Sequence, residues 1–275
     1  MATTGVAARR SRNKETPTAT VTQKAPHHDE RVVRVPPQSP SGNEEEPNMD
    51  SLYEWSSRAI RRVYDARIKT PPVLDVDTCF PDGRRFVAAW PQIRQEALAI
   101  LEGAQAIPRF HEIMPAQAEI SAADGRDWRM FLLKVYGQAI EAHMEACPML
   151  AQLVSSSPDV LSATLSFLAP HKHIPRHCGP FRGILRFQLN LEAPVDAWGR
   201  PSSVLWLAGH EHRLGNGECL LWDDTYPHEV WNHSEQTRIA LLLDVRRPDM
   251  PLRLRLLSRA VTTGVGMVAR WRGFA

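Results

Sequence analysis

Beyond about residue 160, apolar and polar positions alternate in short runs. Segments near 161–169, 183–192, 202–208, 218–223, 228–232 and 237–245 carry this period of two, which predicts strands. The pattern is sharpest in the second run, where Leu185, Phe187, Leu189 and Leu191 share one face while Arg186, Gln188 and Asn190 share the other. One face packs into a core and the other lines something polar. Short strands at this spacing predict a mainly β fold with flanking helices, arranged as a double-sheet jelly roll. Upstream the period is helical. Leu52, Trp55, Ala59, Ile60 and Val63 recur at helical spacing from Ser51 to Ala66, with Arg58, Arg61 and Arg62 on the other positions, which predicts a short basic amphipathic helix. Pro71-Pro72 ends it, and Asp77 to Pro81 reads as a turn. Helices are predicted over about 91–103 and 140–154, either side of a buried strand at 128–136. Residues 1–48 are rich in Pro, Thr, Ser, Lys, Arg and Glu and bury too little apolar surface to offset their ordering entropy, so a disordered tail is expected. The expected organisation is a tail over 1–48, a basic helix within 49–72, the principal domain over 73–248 and a basic segment over 249–275.

Composition narrows the class. With 275 residues, 43% of them hydrophobic, the chain can bury a full core. No run of about 18 apolar residues is present, so no transmembrane helix is expected. Arg9, Arg10 and Arg12 are followed by no apolar stretch, so neither a secretory nor a twin-arginine signal is expected. Cys79, Cys147, Cys178 and Cys219 are widely spaced and read as reduced thiols of a cytoplasmic protein. The arginines are scattered or terminal and match no nucleic-acid motif, so no nucleic-acid partner is expected. The end of the chain is different: from Arg246 onward, Arg253, Arg255, Arg259, Arg270 and Arg272 interleave with Leu252, Leu256, Met267, Val268 and Trp271, and Asp249 is the one acid. Such a segment suits either peripheral contact with an anionic membrane, the inner membrane in a cytoplasmic protein, or a terminal helix covering the sheet with solvated arginines.

The candidate chemistry lies in two matched histidines. His177 stands in Pro175-Arg176-His177-Cys178-Gly179-Pro180, and His228 in Asp223-Asp224-Thr225-Tyr226-Pro227-His228-Glu229-Val230-Trp231. Arg186 follows the first by nine residues (186 − 177) and Arg238 follows the second by ten (238 − 228). Two neutral imidazoles can hold a divalent metal, and a guanidinium fork pairs bidentately with a carboxylate. The four residues therefore suit a metal beside a small dicarboxylate. An arginine on a central strand is costly without an anion, which a ligand or Asp223, Asp224 or Asp244 could supply. His171, His173, His210 and His212 form two His-x-His pairs, which read as solvated or hydrogen-bonded rather than as zinc ligands.

On these motifs the stretch from about Phe80 to Pro248 resembles the aspartyl/asparaginyl β-hydroxylases, iron(II)- and 2-oxoglutarate-dependent oxygenases with a double-stranded β-helix of cupin-like form. That resemblance implies that His177, in a His-x-Gly-Pro motif, and His228, in an Asp-Asp-x-x-x-His-Glu-Val-Trp motif, bind iron. It implies that Arg238 and Arg186 bind 2-oxoglutarate, and that Ser166, eleven residues before His177 (177 − 166), belongs to the same subsite. Where better-known members have a histidine two residues after the first arginine, this chain has Gln188, which hydrogen-bonds but cannot become cationic. The family leaves the third iron position to water, in keeping with Gly179 where other oxygenases carry an acid. Dioxygen is the implied oxidant. The substrate that the resemblance implies is an Asp or Asn residue, or a related amino acid. A second reading is a fatty acyl chain of a membrane lipid, since Leu74-Asp75-Val76-Asp77, Phe80-Pro81, Trp90-x-x-Ile93-x-x-Glu96, Trp128, Leu133-Lys134 and Tyr136 resemble the family's lipid-acting branch. A third, of another class, is a jelly-roll binding protein that holds metal and ligand without turnover.

Overall fold

The computed structural model describes residues 62–103, 106–248 and 250–271. Of the helix expected from Ser51 to Ala66, residues 62–65 are helical and Ala66 lies in a turn; residues 51–61, and the tail, lie outside the described residues.

Eleven described strands form two sheets, all paired antiparallel. In chain order they are β1 (Val73–Leu74), β2 (Trp128–Val135), β3 (Gln138–Ala139), β4 (Val160–Leu168), β5 (His173–His177), β6 (Ile184–Glu192), β7 (Ser203–Leu207), β8 (His210–His212), β9 (Cys219–Trp222), β10 (His228–Asn232) and β11 (Arg238–Arg246). The larger sheet runs β1-β9-β6-β11-β4-β2-β3 and the smaller β5-β10-β7-β8. This is the expected jelly roll. The alternation in β6 sorts as the sequence demands: Leu185, Phe187, Leu189 and Leu191 are fully buried in a core shared with helices, and Gln188 and Asn190 are buried on the opposite face, between the sheets.

The helical layer comes from α1 (Val76–Cys79), α2 (Gly83–Ala88), α3 (Trp90–Glu102), α4 (Phe110–Ile113), α5 (Ala118–Ser121), α6 (Glu141–Ala146), α7 (Pro148–Ser155) and α8 (Leu252–Trp271). Ile93, Ala97 and Ile100 of α3, at helical spacing, close over Phe131, Leu165, Phe187 and Leu241 of the larger sheet. Two expectations need correction. Asp77 to Pro81 is not simply a turn, because Asp75 accepts a hydrogen bond from the Thr78 amide and caps the short helix α1. The single helix expected over 140–154 is two, α6 and α7: Pro148 offers no amide to a preceding carbonyl and keeps Cys147 out of the helical conformation. Among the described residues β5 is a strand the hydrophobic pattern did not reveal.

Between the sheets lies a second apolar cluster, Trp128, Met130, Leu168, Ile174, Leu205, Leu207, Trp222 and Val230. Polar side chains interrupt it, and these make the site.

Candidate functional site

Strands β5 and β10 pair so that His177 lies directly opposite His228. Their ring centroids are 4.1 Å apart, inclined at 57°, and the Trp222 indole meets His228 edge-on at 4.7 Å. Each Nδ1 faces a backbone carbonyl two residues earlier in the chain: 2.8 Å to Pro175 for His177, and 2.9 Å to Tyr226 for His228. A carbonyl can only accept, so each Nδ1 carries the proton and donates it, and each Nε2 is left with its lone pair. Burial, and then the neighbouring His177, push the His228 imidazole down to about 3. Burial lowers His177 as well. The sequence has thus built two neutral imidazoles with fixed tautomers, the form that ligates a metal.

Gly179, two residues past His177, has no side chain for a structural reason. Its amide donates to the Asp224 carbonyl at 2.6 Å, and a Cβ there would overlap the Asp224 carboxylate. The acid that other oxygenases carry at this position would not fit; a carboxylate from the His228 loop already fills the space. Burial raises the Asp224 carboxyl to about 6, partly offset by Arg186. Its neighbour Asp223, fully buried, accepts from Arg247 Nη2 at 2.5 Å and from the Thr225 hydroxyl at 2.6 Å, which pins the loop leading to His228.

The two arginines differ sharply. Arg186 donates to Asp244 at 2.9 and 3.1 Å and lies 3.4 Å from Asp224. Burial would lower its pKa, yet these carboxylates raise it, so its charge is already matched within the protein. Arg238 is only 4% exposed; among the described residues its side chain makes one hydrogen bond, from Nε to the Ser203 hydroxyl at 3.2 Å, and its Nη1 is buried with no partner. Burial pushes it down to about 10. An uncompensated buried guanidinium costs several kcal/mol, and an anionic ligand offsets that cost. Ser203 was not singled out in the sequence, although a polar residue at an inward position of a short apolar strand is a legible signal.

Ser166 and Gln188 face the same interior. The Ser166 hydroxyl accepts from Trp128 Nε1 at 3.1 Å, and Gln188 donates to Asn190 Oδ1 at 3.1 Å. The histidines therefore stand on the smaller sheet, while Arg238, Arg186, Ser166 and Gln188 stand on the larger one. His171, His173, His210 and His212 join no cluster of three or more metal-holding side chains among the described residues. His171 contacts Glu235 at 2.8 Å, and His173 stacks on Trp231 with centroids 3.5 Å apart.

A jelly roll whose smaller sheet offers two neutral imidazoles, and whose larger sheet offers a buried unpaired guanidinium, has the donor set of a metal- and carboxylate-binding protein. Residues 87–248 match the family described as aspartyl/asparaginyl β-hydroxylase, and the chain belongs to that family of hydroxylases. It is 34% identical over 200 residues to the ornithine lipid ester-linked acyl 2-hydroxylase of Rhizobium tropici, covering 72% of this chain and 68% of that protein. To the aspartyl/asparaginyl β-hydroxylase of Homo sapiens it is 25% identical over 166 residues, which is 58% of this chain but 20% of the human protein. Among solved structures, a prolyl hydroxylase from Trichoplax adhaerens in complex with a hypoxia inducible factor peptide fragment matches 78% of this chain and 98% of its own, at 15% identity and a TM-score of 0.41.

Proposed function

We propose that the chain is an iron(II)- and 2-oxoglutarate-dependent hydroxylase acting on a fatty acyl chain of a membrane lipid, at the 2-position, from the cytoplasmic face of that membrane. The observation that carries the chemistry is the pairing of two lone-pair-bearing Nε2 atoms with a buried guanidinium whose Nη1 has no partner. The lipid choice is supported by the Rhizobium relative, which matches more of this chain, and at higher identity, than the human one.

His177 and His228 would hold the iron, which when bound couples dioxygen and the decarboxylation of 2-oxoglutarate to insertion of an oxygen atom into a C–H bond. Everything else falls to the chain's own residues. Arg238, steadied by Ser203, pairs with the distal carboxylate of the co-substrate. Ser166 and Gln188 give that pocket a polar wall. The Trp128 and Trp222 rings exclude water from it. Arg186 acts through Asp224, holding a carboxylate on the side of the histidine pair that Gly179 leaves bare. Both carbonyl-bound Nδ1 protons lock the imidazoles in the ligating tautomer, so metal binding needs no proton rearrangement.

Hydroxylation of an Asp or Asn residue is the second reading, favoured by the match to the human protein. Succinate release separates the two: purified protein is given iron(II), ascorbate, oxygen and 2-oxoglutarate, with either an ornithine-lipid extract or a pool of Asp- and Asn-containing peptides. The lipid should stimulate turnover and gain 16 mass units, and His228→Ala should abolish both. Stimulation by the peptides alone would transfer the assignment to the second reading. Metal binding without any succinate would leave only a non-catalytic ligand-binding role.

A further inference from the structure

Helix α8 has two apolar faces. Leu254, Ser258, Thr262, Gly266 and Ala269 form the inner one and are buried against the domain. There the Ser258 hydroxyl donates to the Gly183 carbonyl at 3.0 Å, and Gly266 lies so close to the Tyr136 carbonyl that a Cβ would overlap it. The outer face should be polar in a helix that merely covers a sheet. Instead Leu252, Leu256, Met267 and Trp271 fall on one outward stripe and are 63, 55, 62 and 87% exposed. Arg253, Arg255, Arg259 and Arg270 flank that stripe, and the helix carries no acid. Beside it, a cavity of about 540 Å³ is lined by Tyr136, Gln138, Arg246, Arg259 and Thr263, and a smaller one of about 200 Å³ adds Arg255. Asp159 is the acid lining both. A cationic cavity thus opens along the edge of an exposed apolar ridge.

We propose that α8 is a membrane-docking helix. Leu252, Leu256, Met267 and Trp271 lie in the acyl-chain boundary of an anionic bilayer, and Arg246, Arg255 and Arg259 receive the phosphodiester of a lipid headgroup. Charge decides between occupants. A second copy seated on this face by a two-fold would bring each arginine against arginines, with no acid on the helix to compensate. An anionic bilayer satisfies the arginines and the apolar stripe together. None of the described helices is long and apolar enough to cross a membrane, so contact through this one is with the surface. The docking surface stands apart from the choice of substrate, because it shares no residue with the histidine and arginine site.

The test is co-sedimentation of the full chain, without iron or 2-oxoglutarate, with vesicles of phosphatidylcholine alone or containing about one-third phosphatidylglycerol. The protein should pellet with the anionic vesicles, be released by high salt and ignore the neutral ones. Met267→Glu with Trp271→Glu, at exposed positions where folding is spared, should abolish the binding. Arg255→Gln with Arg259→Gln should weaken it about thirtyfold. Wild type left in the supernatant, or equal pelleting by both double variants, overturns the proposal. So does a dimer in solution that Met267→Glu converts to monomer, since a second copy would then own the stripe.

Discussion

Arg238 is a buried cation held by one serine hydroxyl, and that isolation has a measurable price. Replacing it by methionine removes an uncompensated charge and keeps most of the side-chain volume. Arg238→Met should therefore leave the thermal midpoint of the ligand-free protein unchanged or higher, while raising the KM for 2-oxoglutarate at least about thirtyfold, roughly 2 kcal/mol. A lower midpoint with an unaltered KM would show that Arg238 is structural. His228 gives the second residue-scale expectation. Its folded pKa is depressed, to about 3, from an ordinary 6.5, so the native state binds fewer protons than the unfolded chain between those values. Stability is then full above about pH 6.5 and is lost as the pH falls toward 3, by up to about 1.4 kcal/mol per unit. Urea unfolding across this range should show the slope in wild type and a shallower one in His228→Asn; identical slopes would mean that other groups carry the acid sensitivity. The sequence spacing brought Arg186 and Arg238 forward as equals. What separates them is that Asp244 lies opposite Arg186 across β11 and β6, and which strands become neighbours is decided by distant pairing that no local spacing encodes.

At the scale of elements, hydrophobic period was a good guide wherever one face of a strand or helix meets a core. It found β4, β6, β10, β11 and α3 to within a residue or two of their ends. It missed β5, because His173-Ile174-Pro175-Arg176-His177 has one apolar residue with a core-facing role and a proline; that strand is defined by pairing with β10. It fused α6 with α7 because the apolar spacing continues across Pro148, whose covalent constraint overrides it. Helix α8 offers a test of how an element is seated. Gly266→Ala should cost about 1–3 kcal/mol, since the added methyl must push the helix off the Tyr136 carbonyl. Affinity for 2-oxoglutarate should be unaffected, because α8 contributes none of His177, His228, Arg238, Ser166 or Gln188. A substitution without effect on denaturant midpoint would show that α8 adjusts freely on the domain.

For the molecule as a whole, strand spacing announced two layers, but the division into seven and four strands was not readable from it. That division places the histidines on one layer and Arg238 on the other. The site is therefore a property of the seam, not of either sheet. Amide exchange in β10 and β7 should slow when metal and 2-oxoglutarate are both added, as a ligand held from both sides resists separation of the layers. If β10 kept its exchange rates on loading, the two halves of the site would not share a ligand.

Arg238 being 4% exposed also bears on kinetics. A co-substrate carboxylate cannot reach a guanidinium sealed between two sheets until the seam opens. Opening must precede encounter, so in stopped-flow mixing the observed rate of 2-oxoglutarate binding should stop rising with concentration and level off at a ceiling set by the protein's own motion. Ser203→Ala, which frees the Arg238 side chain from its tether, should lift that ceiling.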